Sequence, residues 1–256
     1  TEDPSTWKWT AADKLFLEMV RRAHERGMRV ILDGVFNHSG LEFFAFRDLR
    51  AKQQASRYKD WFVVEAWDDP ATPQDEFRWA GWWGHKSMPE FAEVSKDGRG
   101  DLAQGVKDFL MAATRRWMEP DGDVTRGVDG WRLDGAWMVP EAFWRDWNAM
   151  VHSINPGAFT ITEIWHGARE FTLAGNFDDT MNYEGFAMPV KGWLFDTALK
   201  PSAFSSWLDR MRLPWPEATA LRLQNLLDSH DTPRAASAAF DGRPGKNYAK
   251  PGEFDL

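Results

Sequence analysis

The sequence predicts an α/β fold made of repeated βα units, most simply a (β/α)8 barrel, and three observations lead there. Stretches with apolar residues at helical spacing alternate with short β-rich runs, those runs end in carboxylates or histidines, and turn residues separate the two. Parallel α/β sheets carry their chemistry at the carboxyl ends of the strands, so polar residues there are the first functional candidates. A doubly wound sheet would show the same alternation. However, no Gly-x-Gly-x-x-Gly follows a strand and no Gly-x-x-x-x-Gly-Lys occurs, which removes the usual support for dinucleotide or P-loop binding.

Thr10-Ala-Ala-Asp13 has the form of a capping box, and Leu15, Phe16, Met19, Val20 and Ala23 then recur at helical spacing until Gly27. Met28 to Phe36 is a near-continuous apolar run, expected as a strand covered on both faces, and it ends in Asn37-His38-Ser39-Gly40. From Leu41 to Gly100 aromatic residues, prolines, glycines and charges show no sustained period, as in an inserted subdomain. Leu102, Val106, Phe109, Leu110, Ala113 and Trp117 mark a second helix that ends at Pro120. A short strand is expected within Gly127 to Trp137, where Arg132 and Asp134, two residues apart, share a face. The next helix starts at Pro140, buries Phe143, Trp147, Met150, Val151 and Ile154, and stops at Asn155-Pro-Gly157. Phe159 to His166 is β-rich, with Glu163 near its carboxyl end. Weaker strand candidates are Asp179 to Tyr183 and Leu223 to Asp228, the second leading into Ser229-His230-Asp231.

Composition narrows the function. A chain of 256 residues that is 43% hydrophobic can bury a large core, and a net charge of -8 without a basic cluster argues against nucleic acid or an anionic membrane as partner. No apolar run is long enough to span a bilayer, and the first residues lack the halves of a signal peptide, which leans the expected compartment towards the cytoplasm. The absence of cysteine excludes disulfides, thiolate catalysis and zinc-thiolate sites. The 16 tryptophans suit both a core and a sugar cleft. Trp117, Trp144 and Trp147 fall on helix faces and are expected in the core, whereas Trp79, Trp82 and Trp83 are placed to stack on sugars or to brace an irregular segment. His24 and His152 are expected on solvated helix faces.

Asp134, Glu163 and Asp231, with Arg132, His38 and His230, all fall at expected strand ends. Retaining glycoside hydrolysis needs one ionised carboxylate as nucleophile and one protonated carboxyl as acid. Arg132 favours the charged form of Asp134, while the apolar flank of Ile164 and Trp165 favours the neutral form of Glu163. Asp231 is then free to bind hydroxyls or the oxocarbenium-like transition state. A metal-dependent hydrolase using Asp33, Asn37, His38, His230 and Asp231 is a rival reading, although no His-x-x-x-His pair supports it.

Asp33-Gly-Val-Phe-Asn-His38, Gly130-Trp-Arg-Leu-Asp134, Glu163-Ile-Trp165 and Ser229-His-Asp231 resemble, in order, the four sequence regions of the α-amylase superfamily, glycoside hydrolase family 13. Met88-Pro-Glu-Phe91 and Leu227 to Thr232 resemble its neopullulanase and cyclomaltodextrinase branch. The resemblance implies an incomplete (β/α)8 TIM barrel covering strands 3 to 7, with a B subdomain inserted after strand 3. Residues 1–38 would then hold helix 2 and strand 3, residues 39–100 the B subdomain, and residues 101–256 helix 3 to strand 7 and the loop after it. It further implies Asp134 as nucleophile, Glu163 as general acid/base and Asp231 as transition-state stabiliser. His38, Arg132 and His230 would line the first donor subsite, with Trp165 near the acceptor side and Trp137 beside it. The implied substrates are maltooligosaccharides, cyclodextrins, pullulan or starch, cleaved at α-1,4 and in some members α-1,6 bonds. No cofactor is required in this branch, and a structural calcium at Asn37, as in true α-amylases, stays open. Two departures stand out: Gly135-Ala-Trp-Met138 replaces the branch's Val-Ala-Asn-Glu after the nucleophile, and Glu90 stands where a lysine is usual. A non-catalytic glucan-binding protein on the same scaffold is the other alternative.

Overall fold

The computed structural model describes residues 1–96, 99–175 and 177–241. The chain folds as two compact units, one built on Thr1–Thr160, the other on Ile161–Leu173 and the chain from Phe177 on.

The first unit opens with helix α1 (Ala11–His24), whose capping box forms as expected: Asp13 N–H donates to Thr10 Oγ1 at 3.1 Å and Thr10 N–H to Asp13 Oδ2 at 2.9 Å. Its buried face is rotated from the one the spacing suggested. Leu17 and Val20 are buried, whereas Leu15 is 71% and Met19 45% exposed. Phe16, edge-on to Trp117 at 5.3 Å, sets the rotation. Strand β1 (Ile31–Val35) follows, then helix α2 (Phe44–Lys52) and two antiparallel pairs, β2 (Val64–Ala66) with β3 (Arg78–Trp79) and β4 (Glu93–Lys96) with β5 (Arg99–Leu102). Helix α3 (Gln104–Met118), strand β6 (Gly130–Asp134) and helix α4 (Glu141–Ile154) match the expected helix, strand and helix.

β1 and β6 pair in parallel, with Asp33 beside Arg132 and Val35 beside Asp134. One face of the pair is the core. Phe36 stacks on Trp144 at 5.8 Å and meets Trp147 edge-on at 5.9 Å, and Trp131 meets Trp147 at 6.2 Å. Trp144 and Trp147 are fully buried, with indole N–H groups donating to Ala136 O and Thr114 Oγ1, both at 2.8 Å. Burying such a ring contributes about 1.5–3 kcal/mol, so this aromatic layer dominates the unit's stability. The opposite face departs from the two-sided burial expected for Met28 to Phe36: Ile31 and Val35 are 43% and 41% exposed. The run is interrupted by Asp33, whose charge belongs in a polar environment, and only the Gly34 and Phe36 side is packed. Gly130 is required by close approach, since a Cβ there would lie 2.0 Å from Phe159 O. His24, expected in solvent, is corrected: its Nε2 lies 2.8 Å from Asp129 Oδ2, which also accepts from Val30 N–H at 2.7 Å. That carboxylate ties the end of α1 to the start of β1.

Strand β7 (Phe159–Thr162) begins in the first unit, where Phe159 N–H donates to Asp129 O at 3.0 Å, and ends in the second. There Ile161 and Thr162 pair in parallel with Asp179 and Thr180 of β8 (Asp179–Thr180). Helix α5 (Ala168–Ala174) connects them. Beyond β8 come a π-helical turn (Tyr183–Ala187), the short helix α6 (Met188–Val190), a second π turn (Lys191–Phe195) and helices α7 (Pro201–Arg212), α8 (Glu217–Ala220) and α9 (Ala235–Asp241). The strand expected over Leu223 to Asp228 reduces to a single parallel bridge between Met181 and Gln224. Its apolar residues do not find a second ladder, and Leu227 is 50% exposed. Among the described residues no helix is long and apolar enough to cross a membrane.

Candidate active site

In the first unit the parallel register does what the Arg-x-Asp spacing alone could not. Arg132 lies side by side with Asp33 on the neighbouring strand and shares its face with Asp134. Its Nη1 donates to Asp33 Oδ1 and Oδ2 at 2.7 and 2.6 Å and to Asp134 Oδ1 at 3.1 Å. The guanidinium, 16% exposed, thus stands between two carboxylates and neutralises part of their mutual repulsion. Asp33 was named from the sequence as the start of the Asp33 to His38 motif, but its pairing with Arg132 depends on register. Immediately after Asp134 the chain turns at Gly135, whose φ of 50° is left-handed, into the 3-10 turn Ala136–Met138. Trp137 on that turn is 53% exposed.

His38 is half-buried at the end of β1. Burial lowers its pKa, partly offset by the nearby Asp134 carboxylate, so the imidazole is neutral at neutral pH. Its Nδ1 lies 2.7 Å from Asn37 Oδ1. The Met88 to Phe91 segment is seated beside it: Ser39 N–H donates to Pro89 O and Phe91 N–H to Asn37 O, both at 3.0 Å, and His38 forms an antiparallel bridge with Glu90. Trp82 lies over His38 with ring centroids 5.6 Å apart, and its indole N–H donates to Met138 Sδ at 2.9 Å. Met138 is a contact the sequence did not suggest, because it joins two loops far apart in the chain.

In the second unit Glu163 leaves the end of β7 and is 7% exposed. Trp165 Nε1–H donates to Glu163 Oε1 at 3.2 Å, and the Trp165 ring stacks on Tyr183 at 4.4 Å and 12°. Tyr183 was not singled out from the sequence; its place in Met-Asn-Tyr after β8 gives no periodic signal. Trp165, Tyr183, Lys191, Asp228 and Asp231 line a cavity of about 310 Å³ whose walls are mostly apolar. Asp231 N–H donates to Ser229 Oγ at 3.2 Å, Ser229 N–H donates to Thr232 Oγ1 at 2.8 Å, and His230 Nε2 lies 3.1 Å from Asp231 Oδ2. Asp228 braces this loop by accepting from Arg234 Nη1 and Ala235 N–H, both at 2.8 Å. Burial would raise the Asp228 pKa, but those donors hold it below the usual carboxylate value. The first unit therefore groups Arg132, Asp134 and His38, with Trp137 on the adjoining turn. The second joins Glu163 to Trp165 by a hydrogen bond and gathers Trp165, Asp228 and Asp231 around one cavity, with His230 against Asp231.

Asn37, the residue linked to calcium by resemblance, does not offer a fitting donor set. Its carbonyl oxygen faces His38 Nδ1 and its amide nitrogen faces Met138 Sδ at 3.7 Å, whereas calcium takes about six to eight oxygen ligands. Among the described residues no group of three or more histidines, aspartates or glutamates is placed to hold a metal ion.

Comparison with known proteins gives the geometry its context. Residues 10–250 match the family described as alpha amylase, catalytic domain. Neopullulanase 2 of Thermoactinomyces vulgaris is 38% identical over 258 residues, covering 96% of this chain and 40% of that protein. A cyclomaltodextrinase of Bacillus sp is 33% identical over 226 residues, covering 87% of this chain and 37% of its own length. Among solved structures, cyclic alpha-maltosyl-(1-->6)-maltose hydrolase from Arthrobacter globiformis aligns with a TM-score of 0.75 at 26% identity, over 88% of this chain and 48% of that one. A debranching enzyme from Nostoc punctiforme aligns with a TM-score of 0.76 at 28% identity, over 89% and 47%. The chain spans 40% and 37% of the lengths of the two relatives and just under half of the two structures. An α/β chain with these strand-end carboxylates and these relatives belongs to the alpha-amylase catalytic-domain family.

Proposed function

We propose that the protein is a retaining α-glucan hydrolase, with transglycosylation as the competing outcome, and that its strands correspond to strands 3 to 7 of a (β/α)8 barrel with residues 39–100 as the inserted subdomain. The observation that carries this reading is Arg132 held 3.1 Å from Asp134 at a strand end. An arginine cannot lose its proton, so it keeps the neighbouring carboxylate ionised and ready to attack. Asp134 displaces the leaving sugar at the anomeric carbon and forms a glycosyl ester. Glu163 gives its proton to the departing oxygen, then takes one from the water that hydrolyses the ester. Double displacement requires the two carboxyl groups to act about 5–5.5 Å apart. Asp231 supports the oxocarbenium-like charge, and His38, Arg132 and His230 bind hydroxyls of the sugar being transferred. The stacked Trp165 and Tyr183 rings suit the acceptor sugar, and Trp137 offers it a second apolar surface.

The relatives named neopullulanase and cyclomaltodextrinase support α-1,4 linkages in cyclic and linear glucans as the substrate class, with α-1,6 bonds as a second target. The test is product analysis of the intact protein on maltotriose, pullulan and β-cyclodextrin. Release of glucose, maltose or panose-type products is expected. Failure to cleave any of the three would leave the second reading, a glucan-binding protein without turnover.

A further inference from the structure

Three tryptophans, Trp79 at the end of β3 and Trp82 and Trp83 in the turn after it, divide into different roles by their surroundings. Trp79 is a brace: its ring packs on Phe46 at 5.1 Å and Phe77 at 5.4 Å, and its indole N–H donates to Lys86 O at 3.0 Å. Trp82 is fixed between His38 and the Met138 sulfur. Trp83 is neither. It is 69% exposed, and it touches the edge of the Trp82 ring with centroids 6.2 Å apart at 77°. Folding gains little from a ring left in water, yet its backbone sits at φ 51° and ψ 29°, the left-handed region that bulky side chains avoid. Gly84, at φ 82°, continues the same tight turn. An exposed aromatic residue kept in a costly conformation is one that the local sequence holds outward rather than inward.

We propose that Trp83 is a stacking platform for a glucose residue remote from the bond that is cleaved, so that the protein takes extended α-glucan chains in preference to disaccharides. This inference rests on the α-glucan reading above and deepens it. His38, Trp82 and Trp83 form a continuous run of rings, separated by 5.6 and 6.2 Å, leading from the Asp134 end of the first unit to solvent. A pyranose ring presents an apolar face of C–H groups that lies flat on an indole, and a chain whose terminal sugar is held by His38 carries its next residues past the same run. Trp82, the ring that Trp83 rests against, is held by the Met138 sulfur, so that neighbour is in place before a chain binds.

The experiment measures binding by calorimetry in the intact protein carrying Asp134→Asn, so that no cleavage is needed, with maltoheptaose and maltose as ligands. Adding Trp83→Gly is expected to weaken maltoheptaose binding about fivefold, the order of one aromatic stacking contact, and to leave maltose unchanged. The melting temperature should hold or rise, because glycine accepts the left-handed backbone at no steric cost. Trp83→Phe should keep most of the affinity. Unchanged maltoheptaose affinity in Trp83→Gly would overturn the proposal, as would equal losses for both sugars with a lowered melting temperature, the signature of a brace. An Asp134→Asn protein that binds no maltoheptaose overturns it too. Turnover by the unsubstituted protein is read separately, so a binder that does not cleave would sink the hydrolase reading and leave the platform standing.

Discussion

Arg132 is the residue on which the site's electrostatics turn, since one guanidinium nitrogen serves both Asp33 and Asp134. Replacing it with methionine keeps much of the stem but leaves two neighbouring carboxylates without their shared cation. Removing the positive charge beside Asp134 disfavours its charged form, so the acid limb of the activity profile should move to higher pH while activity at its optimum also falls. A profile with an unmoved acid limb would mean that Arg132 positions sugar without setting the charge of Asp134. At this scale the sequence was informative wherever a rule links neighbours along the chain. Arg132 and Asp134 share a face because strands have a period of two, whereas Trp165 reaches Glu163 from the loop that follows β7. The partners of Asp33, Met138 and Tyr183 were hidden because they lie across a register, a loop pair and a π turn, none of which has a local signature.

Among the elements, the β7 and β8 pair holds the clearest titration. Asp179 is 1% exposed and its Oδ1 accepts from Thr180 N–H at 2.7 Å. Burial outweighs that hydrogen bond and raises its pKa from 3.8 to about 7. A carboxyl whose folded pKa is raised is bound to its proton more tightly in the folded chain, so its contribution to stability is complete below 3.8 and is lost as pH rises through about 7. The melting temperature should therefore fall between those limits. Asp179→Asn, which can still accept from Thr180 N–H, should flatten that fall and stabilise the protein above pH 7 by a few kcal/mol at most. A substituted protein with an undiminished pH slope would place the titration elsewhere. Elements with a long apolar period were legible, as α1, α3 and α4 show, the first of them with a capping box besides. Leu223 to Asp228 was not, because a short apolar run says nothing of whether a neighbouring strand extends far enough to pair with it.

For the whole molecule, the alternation of strands and helices was enough to give an α/β class, and the ordered motifs at the ends of β1, β6 and β7 were enough to give the family. The irregular stretch from residue 39 to residue 100 resisted reading because its order comes from clustered aromatic rings and two short antiparallel strand pairs rather than from any period. In the proposed double displacement Asp134 attacks, and the sugar is carried on its carboxylate until water arrives. Mass spectrometry of the intact protein treated with a 5-fluoro-α-glucosyl fluoride, with Glu163→Gln to slow release, tests it directly. The account predicts one glycosyl adduct on the peptide containing Asp134, absent after Asp134→Asn. An adduct on another carboxylate, or turnover that inverts the anomeric configuration, would contradict it.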